Sequence, residues 1–265
     1  MTPVNPSLPH DDYWTAAGTA RREDPTSGAR QEKFAARFQG CSMVIDLGCG
    51  LGEFLRQLRD AGVAAIGVDS SAAACAACEA EGLRAVHADV RSYLQVDGPA
   101  VDGVFNGGLL EHLDRGDVEA LVARVADRLE PGGLFVTVLP NPASILTHLT
   151  VFHEDPTHVR LYPPRYFAAL CRRCGLEIVE VAEDEETLRG WGGRFDADFE
   201  QLAPLAARDP RIGVLIQVVK DFATHFNTVI DQLVRPVEFY VVARKPEAGA
   251  ADASRPSLGA DARRH

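Results

Sequence analysis

Three aspartates and three glycines stand at spacings that suit ligand chemistry. In Val44-Ile-Asp-Leu-Gly-Cys-Gly-Leu-Gly-Glu-Phe54, Asp46 precedes Gly48-x-Gly50-x-Gly52 where an apolar run gives way to a helical pattern. Glycines between a strand and a helix let the backbone approach a ligand closely, with the helix N-terminus pointing at it. An acid inside the strand end suits a ligand bearing an ammonium group better than a pyrophosphate. Asp69 closes the next apolar run, 21 residues past Gly48, where a carboxylate accepts both hydroxyls of a ribose. Asp89 follows the third run and is placed to take the exocyclic amine of adenine. At the ends of three consecutive parallel strands, these acids line one crevice.

Two further clusters hold groups that move protons or ligate metals. Glu111-His112 follows the fourth apolar run, and His153-Glu-Asp-Pro-Thr-His158-Val-Arg160 lies beyond the fifth, in a loop after Asn141-Pro142. Two histidines, Glu154 and Asp155 within six residues exceed what a connecting loop needs. An acceptor hydroxyl must lose a proton as it attacks, and histidine is the side chain suited to that near neutral pH. Of the eight histidines, His10 and His265 lie in the chain ends, His87 ends a strand and His225 falls in a long helix. His148 precedes the loop, which leaves His112, His153 and His158 at the crevice. His158, held by Thr157 and Asp155, is the expected base, with Glu111 and His112 beside it. A divalent metal such as Mg²⁺, held by Glu111, His112 and His153, is the rival device for lowering the hydroxyl's pKa. A structural alternative is also open: Glu111 capping a helix, Asp155 and Thr157 capping a turn, the histidines packing or facing solvent.

These residues need a frame, and the pattern of apolar runs supplies one. Strands are expected at 43–47, 64–68, 84–87, 101–105, 134–139, 176–181 and 237–242. Helices are expected after Gly52, over 71–81, through Val118–Leu129 up to Pro131-Gly-Gly133, and over 163–174. Alternation at this spacing predicts βαβ units and a parallel sheet covered on both faces. Residues 1–39 read as an N-terminal arm, 40–182 and 236–245 as the core, and 246–265 as a disordered tail. Residues 183–235 form a helical insertion before the last strand, with a long helix at 211–234, suited to cover an acceptor or to contact a second copy. Trp191 and Phe195 offer an aromatic wall there.

Composition narrows the class. Lys+Arg 27 against Asp+Glu 38 gives −11, which disfavours a nucleic-acid partner or an anionic membrane. No apolar run reaches the ~18 residues of a membrane span. The first thirty residues lack the apolar stretch of a secretory signal, so the expectation is a soluble, cytoplasmic protein. Cys75-x-x-Cys78 and Cys171-x-x-Cys174 sit in helical patterns far apart and read as buried thiols rather than a zinc site.

The motifs together resemble the class I S-adenosylmethionine-dependent methyltransferases. The glycine motif at 44–54, Gly67-Val-Asp69, Ala88-Asp89-Val90, Leu110-Glu-His-Leu113 and Leu129-Glu-Pro-Gly-Gly133 occur in that family's order and spacing. The resemblance implies a Rossmann-like seven-stranded sheet and S-adenosyl-L-methionine as cofactor. It places Asp46, Gly48 and Gly50 at the methionine part, Asp69 at the ribose and Asp89 at the adenine. Cys49, Phe54, Ser70, Val90 and Asn106, in or near the same motifs, are the further residues expected to bind the cofactor. Quinone-pathway and small-RNA methyltransferases are similar at Glu111-His112, but Gly108 stands where they carry a further Glu. The Asp-Pro-Thr-His element resembles that of methyltransferases of bacterial glycan and natural-product pathways. The expected reaction is methylation of a small-molecule hydroxyl, a sugar or glycan first. The alternatives are an N- or C-methyltransferase, an inactive methyltransferase-like binding subunit, or a nicotinamide-binding domain.

Overall fold

The computed structural model describes residues 31–188 and 200–247. Its strands are β1 (Val44–Leu47), β2 (Ala65–Asp69), β3 (Ala85–His87), β4 (Val101–Gly107), β5 (Leu129–Pro140), β6 (Glu177–Glu183) and β7 (Glu238–Arg244). They form one sheet in the order β3-β2-β1-β4-β5-β7-β6. The pairs among β1 to β5 are parallel, and β7 runs antiparallel to both β5 and β6. The order reverses between β1 and β4. That is where a crevice opens beyond the carboxyl ends of the strands.

Helices α1 (Glu53–Asp60), α2 (Ala72–Ala80), α3 (Val90–Gln95), α4 (Arg115–Arg128) and α5 (Pro164–Arg173) connect the strands. Short polar side chains start three of them: Ser71 accepts from Ala74 N, Asp89 from Arg91 N and Ser92 N, and Asp114 from Asp117 N. Capping of this kind satisfies amide groups that the first helical turn leaves open. On one face of the sheet Val118, Leu121, Val122 and Val125 of α4 and Phe167 and Leu170 of α5 join Ile45, Val104 and Phe135 in one buried cluster. On the other, Phe54 and Leu58 of α1 pack with Phe34, Phe38 and Phe105.

Two expected boundaries move. The Glu-Pro-Gly-Gly segment does not separate α4 from β5. The strand begins at Leu129, and its register with β4 jumps from Val101–Leu129 to Gly103–Leu134. The intervening residues bulge outward, with Gly132 at φ +82° and its N–H donating to Lys245 O at 2.8 Å. Likewise, the core begins before residue 40. Phe34 and Phe38 are buried, and Phe34 meets Tyr240 of β7 edge-on at 5.2 Å. Residues 1–30 of the expected arm, Trp191, Phe195 and residues 248–265 of the expected tail lie outside the described residues.

Between β6 and β7 the chain forms α6 (Ala203–Arg208) and α7 (Pro210–Leu233). Asp209 accepts from Arg211 N, and Pro210 fills the first turn, a strong helix start. No helix among the described residues is long and apolar enough to cross a membrane.

Candidate functional site

A cavity of about 340 Å³ opens beyond the carboxyl ends of β1, β2 and β4. The loop from Gly48 to Gly52 forms one wall, with Gly48, Gly50 and Gly52 all at positive φ. A Cβ at Gly50 would meet nothing within 4 Å, so at this point the bare backbone faces open space. Gly52 is a packing requirement: a Cβ there would lie 2.8 Å from Cys78 Sγ and from Leu83. Beneath the loop the Cys49 and Cys78 thiols both donate to Gly50 O, at 3.8 and 3.3 Å.

The three aspartates differ in their freedom. Asp46 is 2% exposed, lines the cavity, and its Oδ2 has no hydrogen-bond partner. Burial, reinforced by the charge of Asp69, raises its pKa well above the ordinary carboxylate range. A cation entering the cavity would supply what this carboxylate lacks. Asp69 organises the loop: Oδ2 accepts from Gly50 N and Oδ1 from Ser71 N, each at 2.8 Å. Asp89 lines the cavity while capping α3 and clamping the Arg91 guanidinium, whose hydrogen bonds hold its pKa low. Arg91 also reaches Asp117. An exocyclic amine arriving at Asp89 would therefore share an oxygen with Arg91.

Cys49, Phe54, Ser70 and Val90 line the cavity. Phe54 also stacks on Phe105 at 3.6 Å between ring centroids, so it supports the wall from the core side. Asn106 is the exception. It is fully buried, its amide donates to Leu47 O, and its carbonyl accepts from Thr137 Oγ1. The side chain ties β1 to β5 and is not among the lining residues. Gly107 and Gly108, next in the chain, take that place.

The second half of the site is built by a loop pinned onto a turn. Leu110–His112 form a short 3-10 turn after β4. The amides of Val159 and Arg160 both donate to Glu111 O, and Tyr162 Oη donates to Leu113 O. These bonds bring residues 155–160 against Glu111-His112. Thr157 Oγ1 spends its hydrogen on Asp155 Oδ1 at 2.5 Å, so it accepts from His112 Nδ1 at 2.8 Å. His158 donates from Nδ1 to Phe152 O at 2.9 Å, and its Nε2 lies 3.9 Å from both Glu111 Oε1 and Asp155 Oδ2.

The two rings sit 4.6 Å apart, but only His112, with Thr157, lines the cavity. The expected order is thus reversed: Thr157 holds His112, and His158 stands behind it. The expected metal set changes as well. Candidate ligand atoms of Glu111, His112 and His158 lie within 4.8 Å of one another. His153 is exposed and meets the Phe152 ring edge-on at 5.4 Å, outside this group. The turn before His158 points that ring back to Phe152 and the Glu111 pair. Sequence spacing alone does not distinguish the two histidines.

A family model described as a methyltransferase domain matches residues 21–181. No curated protein matches the chain. Among solved structures, a SAM-dependent methyltransferase from Archaeoglobus fulgidus superposes with a TM-score of 0.65 at 25% identity, covering 82% of this chain and 92% of that one. An S-adenosylmethionine-dependent methyltransferase from Mesorhizobium loti gives 0.51 at 19% identity, over 78% and 91%. The plantazolicin methyltransferase BamL, solved with a triazolic desmethylPZN analog and SAH, gives 0.56 at 16%, over 88% and 91%.

Proposed function

The chain belongs to the methyltransferase-domain family of S-adenosylmethionine-dependent enzymes, and from that premise we propose that it methylates a hydroxyl of a small molecule, a sugar or glycan. When bound, the cofactor supplies an electrophilic methyl group on a sulfonium. The chain's own residues do the rest. Asp46, with its unsatisfied Oδ2, would hold the ammonium of the methionine part. Asp69 would accept the ribose hydroxyls while keeping the Gly50 amide in place. The open backbone at Gly50 leaves room for the ligand.

The single observation that carries the hydroxyl reading is the Asp155–Thr157–His112 chain at the cavity wall. Because Nδ1 of His112 donates to Thr157, the lone pair of the neutral ring is on Nε2. A ring so oriented accepts the hydroxyl proton as the oxygen attacks, and Asp155 steadies the resulting charge through Thr157.

A second reading rests on Glu111, His112 and His158. Their converging ligand atoms are the donor set for a divalent ion, which would lower the hydroxyl's pKa directly. Methyl-labelled S-adenosylmethionine offered with panels of sugars, phenols, amines and carbon nucleophiles tests the acceptor class. Under the base reading, His112→Ala loses about 10²–10⁴ in turnover, keeps cofactor binding, and EDTA has no effect on the wild type. Inactivation by EDTA with rescue by Mg²⁺ or Mn²⁺ replaces the base with the ion. Label on amines or carbon alone overturns the hydroxyl assignment. Cofactor binding with no transfer to any panel favours the inactive binding subunit.

A further inference from the structure

Of the 24 residues of α7, only Ala223 is buried. Its half-buried edge carries Ile212, Ile216, Val219 and Ile230, as a helix lying on a protein surface should. A second stripe, about a quarter-turn round the helix from the first, is apolar as well. Leu215, Val218, Phe222, Phe226, Val229 and Leu233 are 61%, 58%, 59%, 38%, 50% and 45% exposed. A helix apolar on both edges is built to have something packed on both.

The spacing of the outer stripe identifies what that is. Its positions read the same in either direction about Phe222: Val218 and Phe226 lie four residues to each side, and Leu215 and Val229 seven. Eleven residues out, Leu233 is matched by Arg211, whose aliphatic stem suits an apolar neighbour. A twofold contact requires this property, because each residue meets its mirror position on the other copy.

We propose that α7 mediates a homodimer in which two copies of the helix pack antiparallel and cross at Phe222. The area is adequate. These six side chains and Val214 expose on the order of 600 Å² per copy, and flanking side chains bring this near the ~800 Å² per partner of a stable interface. The stripe is not a cover for the cofactor cavity, since no described residue of the insertion lines it. An anionic membrane is disfavoured by the net charge of −11.

Sedimentation velocity of the full chain across a dilution series measures the state directly. A species of twice the chain mass is expected, and Phe222→Glu, which sets two carboxylates against each other on the axis, weakens association at least ~30-fold. Register is read by oxidative cross-linking against a wild-type control. Phe222→Cys should cross-link alone, while Leu215→Cys should do so only when mixed with Val229→Cys. Phe222→Cys keeps the test alive if the glutamate variant does not fold. A wild type monomeric throughout overturns the proposal. So does a dimer that survives Phe222→Glu, or Leu215→Cys cross-linking to itself.

Discussion

Replacing Asp46 by Asn should stabilise the ligand-free protein and weaken cofactor binding at the same time. Asp46 is buried with an unpartnered oxygen, and burial raises its pKa well above the ordinary carboxylate range. The folded protein therefore holds this proton more tightly than the unfolded chain does. From the unfolded value near ~3.9 up to the raised folded value, the native state binds more protons, so its stability falls as pH rises. Above the folded value the full cost of an ionised, unpaired group is present. An Asn at this position carries no such term and can turn its NH₂ toward the cavity. The cost of a buried unsatisfied polar group is about 1–3 kcal/mol. At roughly 2–4 °C per kcal/mol for a chain of this size, Asp46→Asn should melt on the order of 5 °C higher at pH 8. The gap should close toward pH 4. Lost contact with an ammonium of about 1.5–3 kcal/mol predicts roughly 10- to 150-fold weaker S-adenosylmethionine binding. Thermal melts by circular dichroism and titration calorimetry measure the two effects. An Asn variant less stable than wild type at pH 8, or one that binds the cofactor undiminished, refutes the reasoning.

Two other substitutions separate the parts of the site. Asp69→Ala removes the acceptor for the Gly50 and Ser71 amides and should weaken cofactor binding roughly tenfold or more, since each charged hydrogen bond contributes about 1.5–3 kcal/mol at most; calorimetry giving an unchanged affinity would remove the ribose assignment. Thr157→Val cuts His112 off from Asp155 and should lower kcat about tenfold with the KM for cofactor unchanged, and Thr157→Ser should recover most of the loss. Equal activity in all three proteins would show the Thr157 link to be structural only.

The half of the cavity that we assign to the cofactor can be located in the sequence because it is written in contiguous pieces. Asp46 and the glycines share one short strand-loop-helix stretch, and Asp69 and Asp89 each end a strand or start a helix. The parallel sheet then brings the pieces together by a rule that does not depend on side-chain detail. Asn106 fails that rule because a residue at a strand end can face the core as readily as the crevice. Its amide holds Leu47 O while its carbonyl takes the Thr137 hydroxyl. The acceptor half depends on contacts between residues 45 or more apart, such as His112 with Thr157. No periodicity reports which of His153 and His158 turns inward, and none reports that Thr157 serves the ring at 112 rather than the one beside it. The long helix was legible as a helix, but its apolar positions divide into an inner and an outer edge only once its neighbours are known.

Two segments outside the sheet, the insertion and the stretch before β1, differ in their reach to the cavity. The insertion leaves the sheet between β6 and β7, and these strands lie at the edge opposite β3. The cavity is built on β1, β2 and β4, and no described insertion residue reaches its wall. Gln31 does. It lines the cavity, and its buried Oε1 has no hydrogen-bond partner. A buried amide oxygen without a donor costs free energy unless something enters to satisfy it. Phe34 and Phe38 anchor the same segment in the core a turn or two later, so Gln31 is held at the mouth by packing and aimed by it. Among the described residues outside the sheet's own connections, the N-terminal segment is therefore the one that reaches the mouth. The described part of the insertion lies at the far edge, so the contact we propose between two copies would leave the mouth open.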